Sequence, residues 1–198
     1  KEEGFTLEEG AKQLLAAVEA ANIGKFDVLS TEVVGPVIGA DLQRRGIFAA
    51  FASILGITLY IALRFRPSFA AGAIVATFHD ILVTLAFLSF FGYDLSLNVV
   101  AALLTITGYS VNDTIVIFDR VRENMGKMRR EGLEATVNTS VNQTLGRTVI
   151  TAGTTFLAVL SLYLFGGEVL EGFAFTMLVG IVSGTYSTIY IAAPVVLW

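Results

Sequence analysis

Residues 108–124 read GYSVNDTIVIFDRVREN, and the place of Asp113 within them decides what kind of chain this is. An apolar run, LNVVAALLTIT (97–107), comes before the aspartate and IVIF (115–118) comes just after it. Either this is a soluble helix with one wet face, or a carboxylate lies inside a membrane. Composition favours the membrane. Hydrophobic residues make up 55% of the 198 and charged residues 15%. A mean hydropathy of +0.73 would leave a soluble domain of this length with a very large exposed apolar surface. The net charge of −4 offers no basic face to nucleic acid, so that class of partner is excluded. With no cysteine there is neither a disulfide framework nor a thiolate metal site. The sequence opens at Lys1 and stops at Trp198 inside an apolar run, so both ends are expected to be cuts in a longer chain.

Working outward from Asp113, five apolar segments cover 46–63, 68–91, 97–118, 148–166 and 170–198. Each is long enough to be read against the roughly 20 residues that a helix needs to cross the hydrocarbon. Gly180 and Gly184 form a GxxxG pair in the last of them, a spacing that permits close helix packing. Arg64 and Arg66 flank the first connection, and Arg120, Arg122, Lys127, Arg129, Arg130 and Arg147 populate the long segment 119–147. The positive-inside rule places both of these in the cytoplasm. The connections around Gly92-Tyr93-Asp94 and Gly166-Gly167-Glu168 carry no Lys or Arg and face outward, although Arg44 and Arg45 at the outer start of the first span run against the rule. Within 119–147, Leu133, Val137, Val141 and Leu145 recur every four residues, which predicts an amphipathic helix lying on the inner membrane surface.

Residues 1–45 have a different character. Thr6-Leu7-Glu8-Glu9 has capping-box spacing, and Leu7, Ala11, Leu14, Leu15 and Val18 then predict an amphipathic helix over about 7–21. FDVLSTEVV (26–34) predicts a strand closed by Gly35-Pro36. The expected fold is thus an α-helical polytopic membrane protein: five transmembrane helices over 46–198, and over 1–45 part of a small extramembrane α+β domain on the periplasmic or extracellular side.

Ionisable residues within the spans require a reason, since an aspartate at the centre of a lone helix costs about 2.5 to 3.5 kcal/mol on insertion scales. They are His79-Asp80 in the second span, Asp113 in the third and Arg147 at the start of the fourth. Asp113 is expected roughly 7 to 8 Å from the inner end of its helix. Arg147 begins its own helix at that surface, so a guanidinium fork is expected to hold the carboxylate. Asn112, Thr114 and Thr151 are candidate further partners. One reading makes this a structural pair that sets helix register. The other makes it a proton relay: burial and a nearby cation act in opposite directions on a carboxylate's proton affinity, so separating the pair couples motion to protonation. Asp80, His79, Asn112 and Thr151 are candidates for a second relay element or for contacts between helices. The oxygen ligands suit Na⁺ as well as H⁺, and no metal or organic cofactor is expected.

Five stretches, VVGPVIGADL (33–42), FHDILVTL (78–85), GYSVNDTIVIFDRVREN (108–124), QTLGRTVITAGTT (143–155) and YLFGGEVLEGFAFTMLVGI (163–181), resemble the SecF family in that order. SecF is the smaller membrane subunit of the bacterial SecDF protein-export complex, within the resistance-nodulation-division superfamily. The resemblance implies six helices in the whole subunit, residence in the inner membrane, and use of the proton-motive force in the export of secretory polypeptides. It implies SecD, separate or fused, and the SecYEG channel as partners, with membrane lipid around the helices. It also implies that Asp113 and Arg147 match the family's essential intramembrane aspartate and arginine, and that Asp80 belongs to its His-Asp motif.

Two other functions compete. The first keeps the fold and makes the chain half of a proton-driven superfamily exporter of small molecules or lipids, although such exporters carry larger periplasmic domains. The second is an intramembrane aspartyl protease using Asp80 and Asp113. It lacks the GxGD sequence, because Gly108 is followed by Tyr-Ser-Val-Asn-Asp. No GxxxxGK[ST] motif points to ATP.

Overall fold

The computed structural model describes residues 7–21, 36–65, 67–128 and 130–197. Among the described residues there are six helices of fourteen residues or more: α1 (Leu7–Ala20), α2 (Pro36–Arg64), α3 (Pro67–Phe91), α4 (Leu97–Lys127), α5 (Leu133–Phe165) and α6 (Glu168–Ser187). A π-helical stretch, Thr188–Ala192, and a last turn, α7 (Ala193–Val195), follow α6 without a break. Two compact units emerge, 1–47 and 48–198. Among the described residues five helices are long and apolar enough to cross a membrane: Arg44–Arg64, Pro67–Phe91, Leu97–Lys127, Leu133–Phe165 and Glu168–Val195.

Every regular element among the described residues is helical. The strand expected over 26–34 lies outside them. Within 1–45, α1 follows the amphipathic pattern, whereas α2 starts ten residues ahead of the first apolar segment. Pro36 suits a first helical position, where its missing N–H and preset φ cost nothing, and nothing breaks the helix before Arg64.

The largest correction falls on 119–147, which is not a loop carrying a separate surface helix. α4 runs on to Lys127, and α5 begins at Leu133 and passes through Arg147 into its span. The cause is pairing between the two extensions. Asn124 donates to Ser140 Oγ at 2.8 Å and to Gln143 Oε1 at 2.9 Å, and Arg120 Nε donates to Gln143 Oε1 at 2.6 Å. The period-four stripe packs on the protein through Val137 and Val141, in the core cluster that also holds Val121.

Local chemistry explains the turns. Ser96 caps α4 by accepting the Val99 N–H, and Gly92 and Gly167 take φ of 77° and 76°, a region in which only glycine is unstrained. In the unit 48–198, α4 and α6 make the closest approach. A Cβ on Gly180 would lie 2.5 Å from Ile106, and one on Gly184 would lie 3.0 Å from Ser110. Along these two helices, one apolar cluster is built around Ala102, Ile106, Met177 and Ile181, and another around Phe118, Val121, Ala192 and Val196. Polar residues occupy the helix turns between them.

Candidate functional site

Asp113 is buried, at 5% exposure, on α4. Arg147, one helix away on α5, is exposed. Among the described residues no hydrogen bond or ion pair joins the two, so the expected guanidinium fork is absent. The surrounding residues do not converge either. Asn112 is exposed, and Thr151 spends its hydroxyl on the Arg147 and Thr148 carbonyls of its own helix. Thr114 turns towards Thr188, oxygen to oxygen 3.0 Å. Thr148, next to Arg147, is 1% exposed and its hydroxyl has no partner.

The denser constellation surrounds Asp80, which is 1% exposed. Ser110 on α4 donates to Asp80 Oδ2 at 2.6 Å, Ser187 at the end of α6 donates to the same oxygen at 2.8 Å, and Ser183 donates to Oδ1 at 2.8 Å. His79 Nδ1 lies 3.2 Å from Oδ1. One carboxylate thus ties α3 to α4 and α6 with its charge met by hydroxyl hydrogens, as a buried anion requires. Thr114 extends the polar seam by one turn, bonding to the Ser110 carbonyl at 3.2 Å as well as to Thr188. The π-helical stretch starts at Thr188. Single π turns inside α-helices are frequent at functional sites, and this one leaves both Ser187 and Thr188 buried.

Ser110, Ser183, Ser187 and Thr188 were not singled out from sequence. Their signal was present in GIVSGTYS (180–187), where each glycine of the GxxxG pair is followed three residues later by a serine. The glycines bring α4 close, and Ser183 and Ser187 reach Asp80 on α3. The protease arrangement is not formed: both Asp80 oxygens are engaged by serines, and no bond links Asp80 to Asp113.

A second polar cluster closes the turns at Gly92 and Gly167. Tyr93 donates to Glu171 Oε1 at 2.6 Å, lies 3.3 Å from the Tyr163 hydroxyl, and stacks on Phe175 with ring centroids 4.5 Å apart. Burial, then the bonds to Glu171 and Tyr163, push the Tyr93 phenol well above its ordinary value.

With this geometry in view, the comparisons are specific. A protein translocase subunit SecF from Koribacter versatilis is 51% identical over 169 residues, 85% of this chain and 42% of its own length. Proteins of the same name from Rhodothermus marinus and Escherichia coli O157:H7 are 48% and 45% identical, over 58% and 57% of their lengths. The chain therefore spans about half the length of these relatives. The crystal structure of SecDF, a translocon-associated membrane protein from Thermus thermophilus, superposes with a TM-score of 0.87 at 42% identity, covering 94% of this chain and 26% of that one. SecDF in a super-membrane-facing form gives 0.79 at 38%. Residues 14–198 match the family model of the protein export membrane protein SecD/SecF, C-terminal. The chain belongs to this SecD/SecF family and is a multi-pass protein of the bacterial inner membrane.

Proposed function

We propose that the chain acts as the SecF-like subunit of a SecDF-type accessory complex, coupling the proton-motive force to export of secretory polypeptides across the inner membrane. The observation that carries this reading is the buried Asp113 in a membrane-length helix, with the exposed Arg147 on the next helix. When Asp113 is ionised, the two helices attract each other across a gap that no hydrogen bond locks. When it takes a proton, the attraction is lost, so proton entry and release would alternately draw and free α5. Its working partners on this reading are SecD, separate or fused, the SecYEG channel, the translocating polypeptide and lipid. The role is transport rather than enzymatic, and the gradient stands in place of a cofactor. Relatives named as translocase subunits lend nothing to the alternative of a small-molecule or lipid exporter.

The test is gradient-driven export of a secretory protein in membrane vesicles, wild type against Asp113→Asn. The variant is expected to lose the gradient's benefit while still copurifying with SecD. Wild-type stimulation in the variant would sink the reading. Replacing the proton gradient by a Na⁺ gradient in the same vesicles identifies the coupling ion.

A further inference from the structure

We propose that Asp80, with His79, Ser110, Ser183 and Ser187, is a second proton-binding site, in which the Ser187 hydroxyl changes acceptor when the proton arrives. The inference rests on the proton-driven reading for its purpose but not for its test.

The two carboxylate oxygens face different surroundings. Oδ1 meets His79 and Ser183, and both of these residues line a groove of about 510 Å³ whose other walls include Phe87, Phe156, Val182 and Tyr186. The His79 side chain is 32% exposed and that of Asp80 is 2% exposed. The histidine is thus the group that reaches from the groove to the buried acid. Oδ2 meets Ser110 and Ser187 in the interior. No permanent cation is among these partners. A buried carboxylate so placed stays ionised only through donors aimed at it, and otherwise becomes neutral by taking a proton.

The hydroxyl hydrogens show how both states are satisfied. In the ionised form Ser110, Ser183 and Ser187 each give their single hydrogen to the carboxylate. If a proton sits on Oδ2, one hydroxyl on that oxygen must turn from donor to acceptor. Ser187 has a second acceptor for its hydrogen, the Gly184 carbonyl at 3.2 Å. The acid form is then Asp80 Oδ2–H to Ser187 Oγ, with Ser187 O–H to Gly184 O. One proton has been added, and the Ser187 O–H bond to Oδ2 is exchanged for one from Oδ2–H to Ser187 Oγ and one from Ser187 O–H to Gly184 O. The hydrogen arrives from His79 across 3.2 Å to Oδ1; a half-turn of the carboxyl group, which breaks the serine bonds and re-forms them on the exchanged oxygens, then carries it to the Oδ2 position. A metal ion fits this cage poorly, because the serine oxygens close on the carboxylate itself rather than on an empty centre.

The titratable neighbours are few. α3 contributes His79, α6 contributes Tyr186, whose ring centroid lies 6.2 Å from that of His79, and α4 contributes Asp113, about 4.5 Å of helix rise beyond Ser110. α5 reaches the groove through Phe156, which is apolar. Ser187 immediately precedes the π-helical stretch, whose Ala192 carbonyl would lie 2.7 Å from a Cβ on Gly72 of α3. A change in the Ser187 hydroxyl is therefore made where α6 turns onto α3.

Infrared difference spectra of the full-length protein with its partner subunit in membranes, taken across pH, read the carboxylic-acid carbonyl directly. In an Asp113→Asn background, which removes the band of the other membrane aspartate, a titrating band is expected, and it is lost when Asp80→Asn is added. In the same background Ser187→Ala should shift the frequency of the band, because the acid form loses the hydroxyl that accepts its hydrogen. A band that survives Asp80→Asn in that background, or a Ser187→Ala band at an unshifted frequency, overturns the proposal. Since no export step is read, an Asp80 band in a protein whose Asp113→Asn variant exports normally would sink the relay role of Asp113 and leave this site standing.

Discussion

At the scale of single residues, the absence of a hydrogen-bonded fork between Arg147 and Asp113 changes what substitution should do. A fork would make lysine a poor replacement and predict a partial defect. An attraction through space asks only for the charge. Arg147→Lys should therefore keep most gradient-driven export and Arg147→Gln should lose it. A glutamine variant as active as wild type in the vesicle assay would remove the arginine from the mechanism. Tyr93 offers a test by pH. Its folded-state value is raised above an ordinary value near 10, so its contribution is complete below pH 10 and is lost as pH rises through the folded value. Tyr93→Phe is expected to cost about 1 kcal/mol at neutral pH through the lost bond to Glu171. Thermal unfolding in detergent should show the gap between wild type and variant closing as the pH climbs above 10. Asp113 and Asp80 were both legible in the sequence, as carboxylates in apolar runs. Their partners were not, since a serine 103 residues away from Asp80 in the chain carries no local mark of the bond.

At the scale of helices, glycine spacing sets the α4–α6 contact. Gly180→Ala places a Cβ 2.5 to 2.8 Å from three atoms of the buried Ile106. Overpacking of this kind costs about 1–3 kcal/mol. Gly108→Ala meets nothing within 4 Å and should be neutral in the same detergent melting experiment. If the two variants melted alike, the close approach would not be contributing to stability. The GxxxG pair was visible in the sequence, but its partner helix was not. The π-helical stretch left no sequence signal at all, because Thr-Ile-Tyr-Ile-Ala continues the α6 pattern and its altered hydrogen bonding follows from packing on α3. The stripe at Leu133, Val137, Val141 and Leu145 was correctly periodic and wrongly partnered, as an apolar face reads the same whether lipid or α4 covers it.

At the scale of the whole molecule, the outer surface of α2 is what lipid or another membrane helix would cover. Phe51 and Leu55 are 70% and 69% exposed within Arg44–Arg64. Leu55→Asp should make insertion of this helix less favourable by about 3 to 4 kcal/mol, read as a reduced inserted fraction in a translocon insertion assay. Unchanged insertion would show that Leu55 does not sit at membrane depth. By itself the sequence determined the solvent, the presence of five helices of membrane length and the two carboxylates within them, because composition and apolar length are local properties. Tertiary structure decided that Asp80 rather than Asp113 is caged, and that among the described residues no hydrogen bond or ion pair joins Arg147 to Asp113. Each further residue turns a helix face by about 100°, so which side chains meet across an interface depends on the rotation and register of neighbouring helices, fixed here by glycines that let α4 and α6 close together.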